Sequence, residues 1–203
     1  MDKWEQLADE NRVNKVMSAL RANGIDSYFV KDRGDARKKV LELIPAGAEV
    51  MTMSSTTLDQ LGLSKELNEP GKFNSVRNKF SSMDKSKQGM EMRRLGAAHE
   101  FAVGSVHAIT ENGQAITASA SGSQLPAYSY GAGKVIWVVG THKIVKNLEE
   151  GMERVYQHSL PLENERAKKA YGIGSSVNKL LIVNREASPG RIVFIFVNEV
   201  LGF

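Results

Sequence analysis

Three short stretches carry the residues best suited to chemistry. The first is Ser54-Ser55-Thr56-Thr57, four hydroxyls between a strand and a helix candidate. Such a turn either caps the helix or presents donors to an anion. The second is the small polar loop Ser119 to Gln124, with Ser121, Gly122 and Ser123 inside it. Gly122 allows backbone amides to approach a ligand closely, and Pro126 suits the first turn of a following helix. The third is Gly140-Thr141-His142-Lys143, directly after the most apolar run of the chain. Lys143 offers a charge for an anion held by the other two loops, and His142 is of a type that titrates near neutrality. Glu111 lies in an Asn-Gly turn and is the one carboxylate near these loops with the right type for acid/base work. The guest suited to all of this is a phosphate or carboxylate.

Loops of this kind need strands to carry them. Apolar residues recur at helical spacing over 3–22, and Ile25 to Val30 reads as a strand. Asp32 opens a second helix, Glu49 to Met53 is a strand, and Leu58 to Leu61 is helical. The segment 64–78 is irregular, and 81–98 reads as one helix. Strand runs follow at Phe101 to Gly104, Ala115 to Thr117 and Lys134 to Gly140. A helix over 147–160 is expected to end at Pro161, with a charged helix over 163–171 closed by Gly172. Lys179 to Asn184 and Arg191 to Val197 flank Pro189-Gly190 and read as an edge hairpin. The alternation is that of an α/β fold, a mainly parallel sheet with helices on both faces. One domain over 1–203 is expected, with 174–203 as a C-terminal strand extension and a possible contact between copies.

Composition removes several classes. With no Cys, the chain has no disulfide, no thiolate metal site and no cysteine-ligated iron–sulfur cluster. The four His lack metal-ligand spacing, so no metal is expected. A net charge of +4 with scattered Lys and Arg does not suit a nucleic-acid binder. No leader or membrane-spanning run is readable, and a cytoplasmic location is expected.

The same loops carry a family likeness. Ile44 to Val50 with the hydroxyl turn, Leu58 to Gly62, Ala108 to Gly113, Gly131 to Val145 and Asn147 to Met152 together resemble the lactate-utilisation (LUD) domain family, in its LutC-like branch. The likeness runs over about residues 5–170. It implies a NagB/RpiA/CoA-transferase-like fold. It also implies an accessory role in oxidising L-lactate to pyruvate, with iron–sulfur centres carried by partner subunits and no cofactor in this chain. The alternative is a stand-alone enzyme of this fold acting on a phosphorylated or carboxylated metabolite, with Glu111 or His142 as acid/base. Two features depart from the family pattern. Ser121 to Leu125 replaces a Gly-rich loop bearing an Arg, and His142-Lys143 replaces Asn-Lys.

Overall fold

The computed structural model describes residues 2–203. A single 3-10 turn at Lys3–Glu5 precedes α1, Glu10–Ala22. The helix expected over 3–22 therefore begins late, because the Asp9 carboxylate accepts from the Arg12 N–H as an N-cap. Then come β1 (Asp26–Val30), α2 (Arg33–Leu43, capped by Asp32) and β2 (Glu49–Thr52). The segment 64–78, expected to be irregular, holds most of one short helix, a two-residue strand and the start of another helix. In order, α3 is Thr56–Gln60, α4 is Leu63–Leu67, β3 is Asn74–Ser75 and α5 is Val76–Ser81. The helix expected over 81–98 shrinks to α6, Gly89–Ala97. The Asp84 carboxylate takes the Ser86 N–H and the Gln88 side chain takes the Asp84 N–H, so the chain turns there instead of winding.

Next are β4 (Phe101–Gly104), β5 (Ala108–Thr110) and β6 (Ala115–Ser119). A single π turn at Ala127–Gly131 leads to β7 (Lys134–Gly140), a 3-10 turn at Thr141–Lys143 and β8 (Ile144–Val145). α7 (Leu148–Arg154) runs through a π-helical stretch, Val155–Ser159, into α8 (Leu160–Tyr171). Pro161 does not break this helix. It falls in the first turn of α8, just after a wider turn that relaxes the constraint of a missing N–H. Gly172 at φ +74° closes α8. The last strands are β9 (Lys179–Val183) and β10 (Ile192–Val197).

Six strands form one parallel sheet in the order β1-β10-β7-β4-β2-β3. Four form a second, mixed sheet in the order β8-β5-β6-β9. The expected hairpin of β9 and β10 is not made. β9 pairs antiparallel with β6 in the small sheet, and β10 lies between β1 and β7 in the large one. The reason is in the residues: Ile192–Val197 is buried at every position, as a central parallel strand must be. Alternate residues of β7 and β10 feed two cores. Trp137, Val139, Phe194 and Phe196 pack with α1, and Ile136, Val138, Ile195 and Val197 pack with α2, α3 and α4. A third cluster joins the small sheet to the helix after β8 through Ala108, Ile116, Val145 and Val155.

The central position of β10 has a measurable consequence. Phe194 is fully buried, with its ring 5.1 Å from Trp137 and 5.6 Å from Phe196. Phe194→Ala is expected to cost about 3–5 kcal/mol, roughly 10 °C in Tm. Thermal unfolding checks this, and a loss under 1 kcal/mol would fit an edge strand instead.

Candidate functional site

β2, β4 and β7 are parallel, so their C-terminal ends share one rim, where open α/β sheets hold ligands. The small sheet stands beside that rim. Between them is a cavity of about 340 Å³. The turn after β2 contributes Ser54 to Thr57, and the turn after β4 contributes Ser105 to His107. The turn after β7 contributes Lys143, and β6 with its loop contributes Thr117 to Ser121, Ser123 and Gln124. Glu163, Arg166 and Tyr171 of α8 close one side.

Lys143 is at the base, only 2% exposed. Its Nζ donates to Thr57 Oγ1 at 3.3 Å, Ser105 Oγ at 3.4 Å and the Val106 carbonyl at 3.3 Å. Among the described residues no carboxylate pairs with it. Burial, and then the nearby Arg154 cation, push its amine well below the ordinary lysine value of 10.5. The neutral amine is thus favoured in the fold.

Arg154 is itself fully buried, and its Nη1 donates to the His107 carbonyl at 2.7 Å and to Ser159 Oγ at 3.0 Å. The second contact joins residues five apart, the spacing a π-helical turn brings together. His107 lines the cavity, and its Nδ1 accepts the Ala118 N–H at 3.1 Å. That bond leaves the proton on Nε2. Burial, then Lys143 and Arg154, push the imidazole down to about 3, so it is uncharged at neutral pH. Arg77 is the accessible cation. Its Nε donates to the Thr52 carbonyl at 2.7 Å and its Nη2 to Ser54 Oγ at 2.8 Å. Among the described residues it has no carboxylate partner, whereas Arg166 is held bidentately by Glu163 at 2.6 and 2.7 Å. An anion entering the cavity therefore meets Arg77 as a cation that feels the Asp59 charge but bonds no carboxylate.

The structure brings Ser54, Ser55, Thr56, Ser119, Ser121, Ser123, Gln124 and Lys143 to one cavity. Their roles differ. Ser55 Oγ caps α3 by accepting from the Leu58 N–H. Ser119 Oγ donates to Gln124 Oε1 at 2.9 Å and accepts the Gly122 N–H at 2.8 Å. Gly122 does not line the cavity. Its amide is already used, and its φ of +84° serves the turn, where a Cβ would come 2.6 Å from Lys179 Cδ.

Two expected site residues lie elsewhere. Glu111 bonds Lys15 Nζ at 2.6 Å and Arg12 Nε at 2.8 Å, tying the β5–β6 turn to α1. Those partners, Lys15 foremost, lower its pKa, so it is no acid/base residue of the cavity. His142 does not line the cavity; it is 3% exposed and packs against Gly140. Burial and the Lys143 and Arg154 charges push it down to about 2, so it does not titrate near neutrality. Sequence reading missed His107, Ser105 and Arg77. His107 and Ser105 follow β4 as Lys143 follows β7, so their position at a strand end was the available signal. Arg77 gave none, being 23 residues from the serine it bonds.

An α/β protein with a polar cleft at the strand ends is the class this geometry defines. The LUD domain model matches residues 13–197, so the chain belongs to the LUD domain family. The match includes β9 and all of β10, beyond the residues 5–170 over which the sequence resemblance runs. A crystal structure of a DUF162 family protein from Deinococcus radiodurans is similar at 12% identity and a TM-score of 0.57. That alignment covers 95% of this chain and 99% of the other. Ribose 5-phosphate isomerase from Plasmodium falciparum aligns at 15% identity over 64% of this chain and 66% of its own, with a TM-score of 0.35. That likeness is too partial to bear on chemistry here. No curated protein matches the chain significantly. No helix among the described residues is long and apolar enough to cross a membrane.

The buried amine makes a stability claim. The unfolded chain holds the Lys143 proton up to 10.5, and the fold releases it at lower pH. The unfolded state therefore binds more protons in that interval, and this contribution to stability rises with pH toward 10.5. Lys143→Met is expected to be more stable than wild type at neutral pH by about 0.5–2 kcal/mol and to lack that part of the alkaline rise. Denaturant unfolding at neutral and mildly alkaline pH checks both, and parallel pH slopes for the two proteins would contradict the account.

Proposed function

We propose that this LUD domain protein is LutC-like and binds a small anionic metabolite in the cleft, as an accessory component of L-lactate oxidation to pyruvate in the cytoplasm. Its iron–sulfur centres would belong to partner subunits, in keeping with a chain that has no Cys. The observation that carries the binding reading is Arg77, a cation without a carboxylate partner at the wall of a hydroxyl-lined cavity. At about 340 Å³ the cavity is at the small end of ligand sites, in keeping with a guest the size of a hydroxy or keto acid.

One observation favours a second reading, a stand-alone enzyme acting on a carboxylated or phosphorylated metabolite. A buried amine of lowered pKa and an uncharged imidazole share the cavity, which simple anion binding does not need.

Thermal shifts with L-lactate, pyruvate and sugar phosphates test the binding reading. A true ligand at a hundred times its Kd should stabilise by about 2.7 kcal/mol, several degrees in Tm. Arg77→Ala should weaken that ligand roughly 10- to 100-fold by calorimetry, the worth of one charge-assisted bond. Undiminished affinity in the variant would refute the site.

A further inference from the structure

Lys143 differs from an ordinary anion-binding lysine in its surroundings. Every oxygen its Nζ touches is neutral, and the separations are 3.3–3.4 Å. Charge-assisted N–H to O bonds run at ~2.7–2.9 Å. Lys143 lines the cavity, and Gly202 packs close beside it, where a Cβ would stand 2.3 Å from Thr57 Oγ1 and 3.2 Å from Nζ. The turn 54–57 links the two ends of the cavity: Arg77 holds Ser54, and Lys143 holds Thr57. His107 follows Val106, whose carbonyl accepts from Lys143, and its Nε2–H is the donor left over. A nucleophile, a hydrogen-bond donor and an anion site thus face one small space.

We propose that Lys143 condenses with the carbonyl carbon of a short α-keto or aldehyde acid held in this cavity, forming a Schiff base. The inference deepens the anion-binding reading and rests on it. Arg77 takes the carboxylate. The Nζ lone pair adds to the carbonyl carbon, the C–O π bond opens, and the oxygen gains a proton to give a carbinolamine. His107 Nε2–H and the Ser105 hydroxyl stabilise the oxygen as its charge develops. Nζ gives up both of its protons in turn, matching the two that the oxygen gains, so the hydroxyl leaves as water and the C=N bond forms. The sum is one amine and one carbonyl converted to one imine and one water, with no oxidant or reductant. Burial and the Arg154 charge lower the pKa of this amine, which raises the share of the nucleophilic neutral form relative to an exposed lysine.

Reductive trapping tests this. The full chain is treated with sodium cyanoborohydride and either pyruvate or glyoxylate, with L-lactate as the control that has no carbonyl. Intact mass and peptide mapping are expected to show one adduct, on Lys143, enriched roughly tenfold or more over any exposed lysine, and none with lactate. Lys143→Met should lose the adduct while keeping its cooperative unfolding. Trapping spread over surface lysines, with Lys143 not enriched in the wild type, would overturn the proposal without recourse to any variant. Thermal shifts without the reductant separate the two readings. A shift by pyruvate with no adduct sinks the Schiff base and leaves the anion site standing. Neither shift nor adduct with either carbonyl acid sinks both.

Discussion

The structure depends on what happens where β7 ends. Lys134–Gly140 is buried at every position after the first, between two parallel neighbours and two helical layers. Such a strand has no solvent face along its length, so polar groups appear only where the ladder stops. The chain stops it with a 3-10 turn that carries Lys143 inward. Its ammonium would be expensive in that place, and no carboxylate is supplied to offset it. Burial therefore shifts the equilibrium toward the neutral amine. The neutral hydroxyl and carbonyl partners of Nζ suit an amine better than an ammonium.

Arg154 reinforces this arrangement from beneath. It is buried at the end of α7, anchored to the His107 carbonyl and Ser159, and its charge disfavours protonation of Lys143, His107 and His142 alike. Its own pKa is drawn down to about 10, mainly by burial, so it keeps its charge near neutral pH. Burial is the larger cause at each of these groups, and the Arg154 charge adds to it in the same direction. The π-helical stretch after α7 is the local device that permits it, since it sets Ser159 opposite Arg154 and lets the helix continue past Pro161.

Much of this was legible in the residues, and the limits have physical causes. The parallel order through β7, the two hydroxyl loops and Lys143 announce themselves by apolar runs ending in small polar residues. β10 does not, because a continuous apolar run beside a Pro-Gly turn fits an edge hairpin as well as a central strand; only packing against β1 and β7 decides. Helix limits shifted where side chains competed with the backbone, at Asp9 and Asp84. In the cavity, Arg77 and His107 were invisible because their roles come from contacts across long stretches of chain. Glu111 was misplaced for the converse reason: its type suggested acid/base work, but α1 brings two cations to it and makes it a strut.

The central claim is that the fold shifts Lys143 toward its neutral amine, with a pKa well below the ordinary lysine value. The direct measurement is an NMR titration of the protein labelled at the lysine ε-carbons, with Lys143→Met used to assign its signal. One lysine should titrate well below the ordinary value of 10.5, and that signal should vanish in the variant. If every lysine of the wild type titrates together near 10.5, Lys143 carries a full charge in its buried setting and the account is wrong.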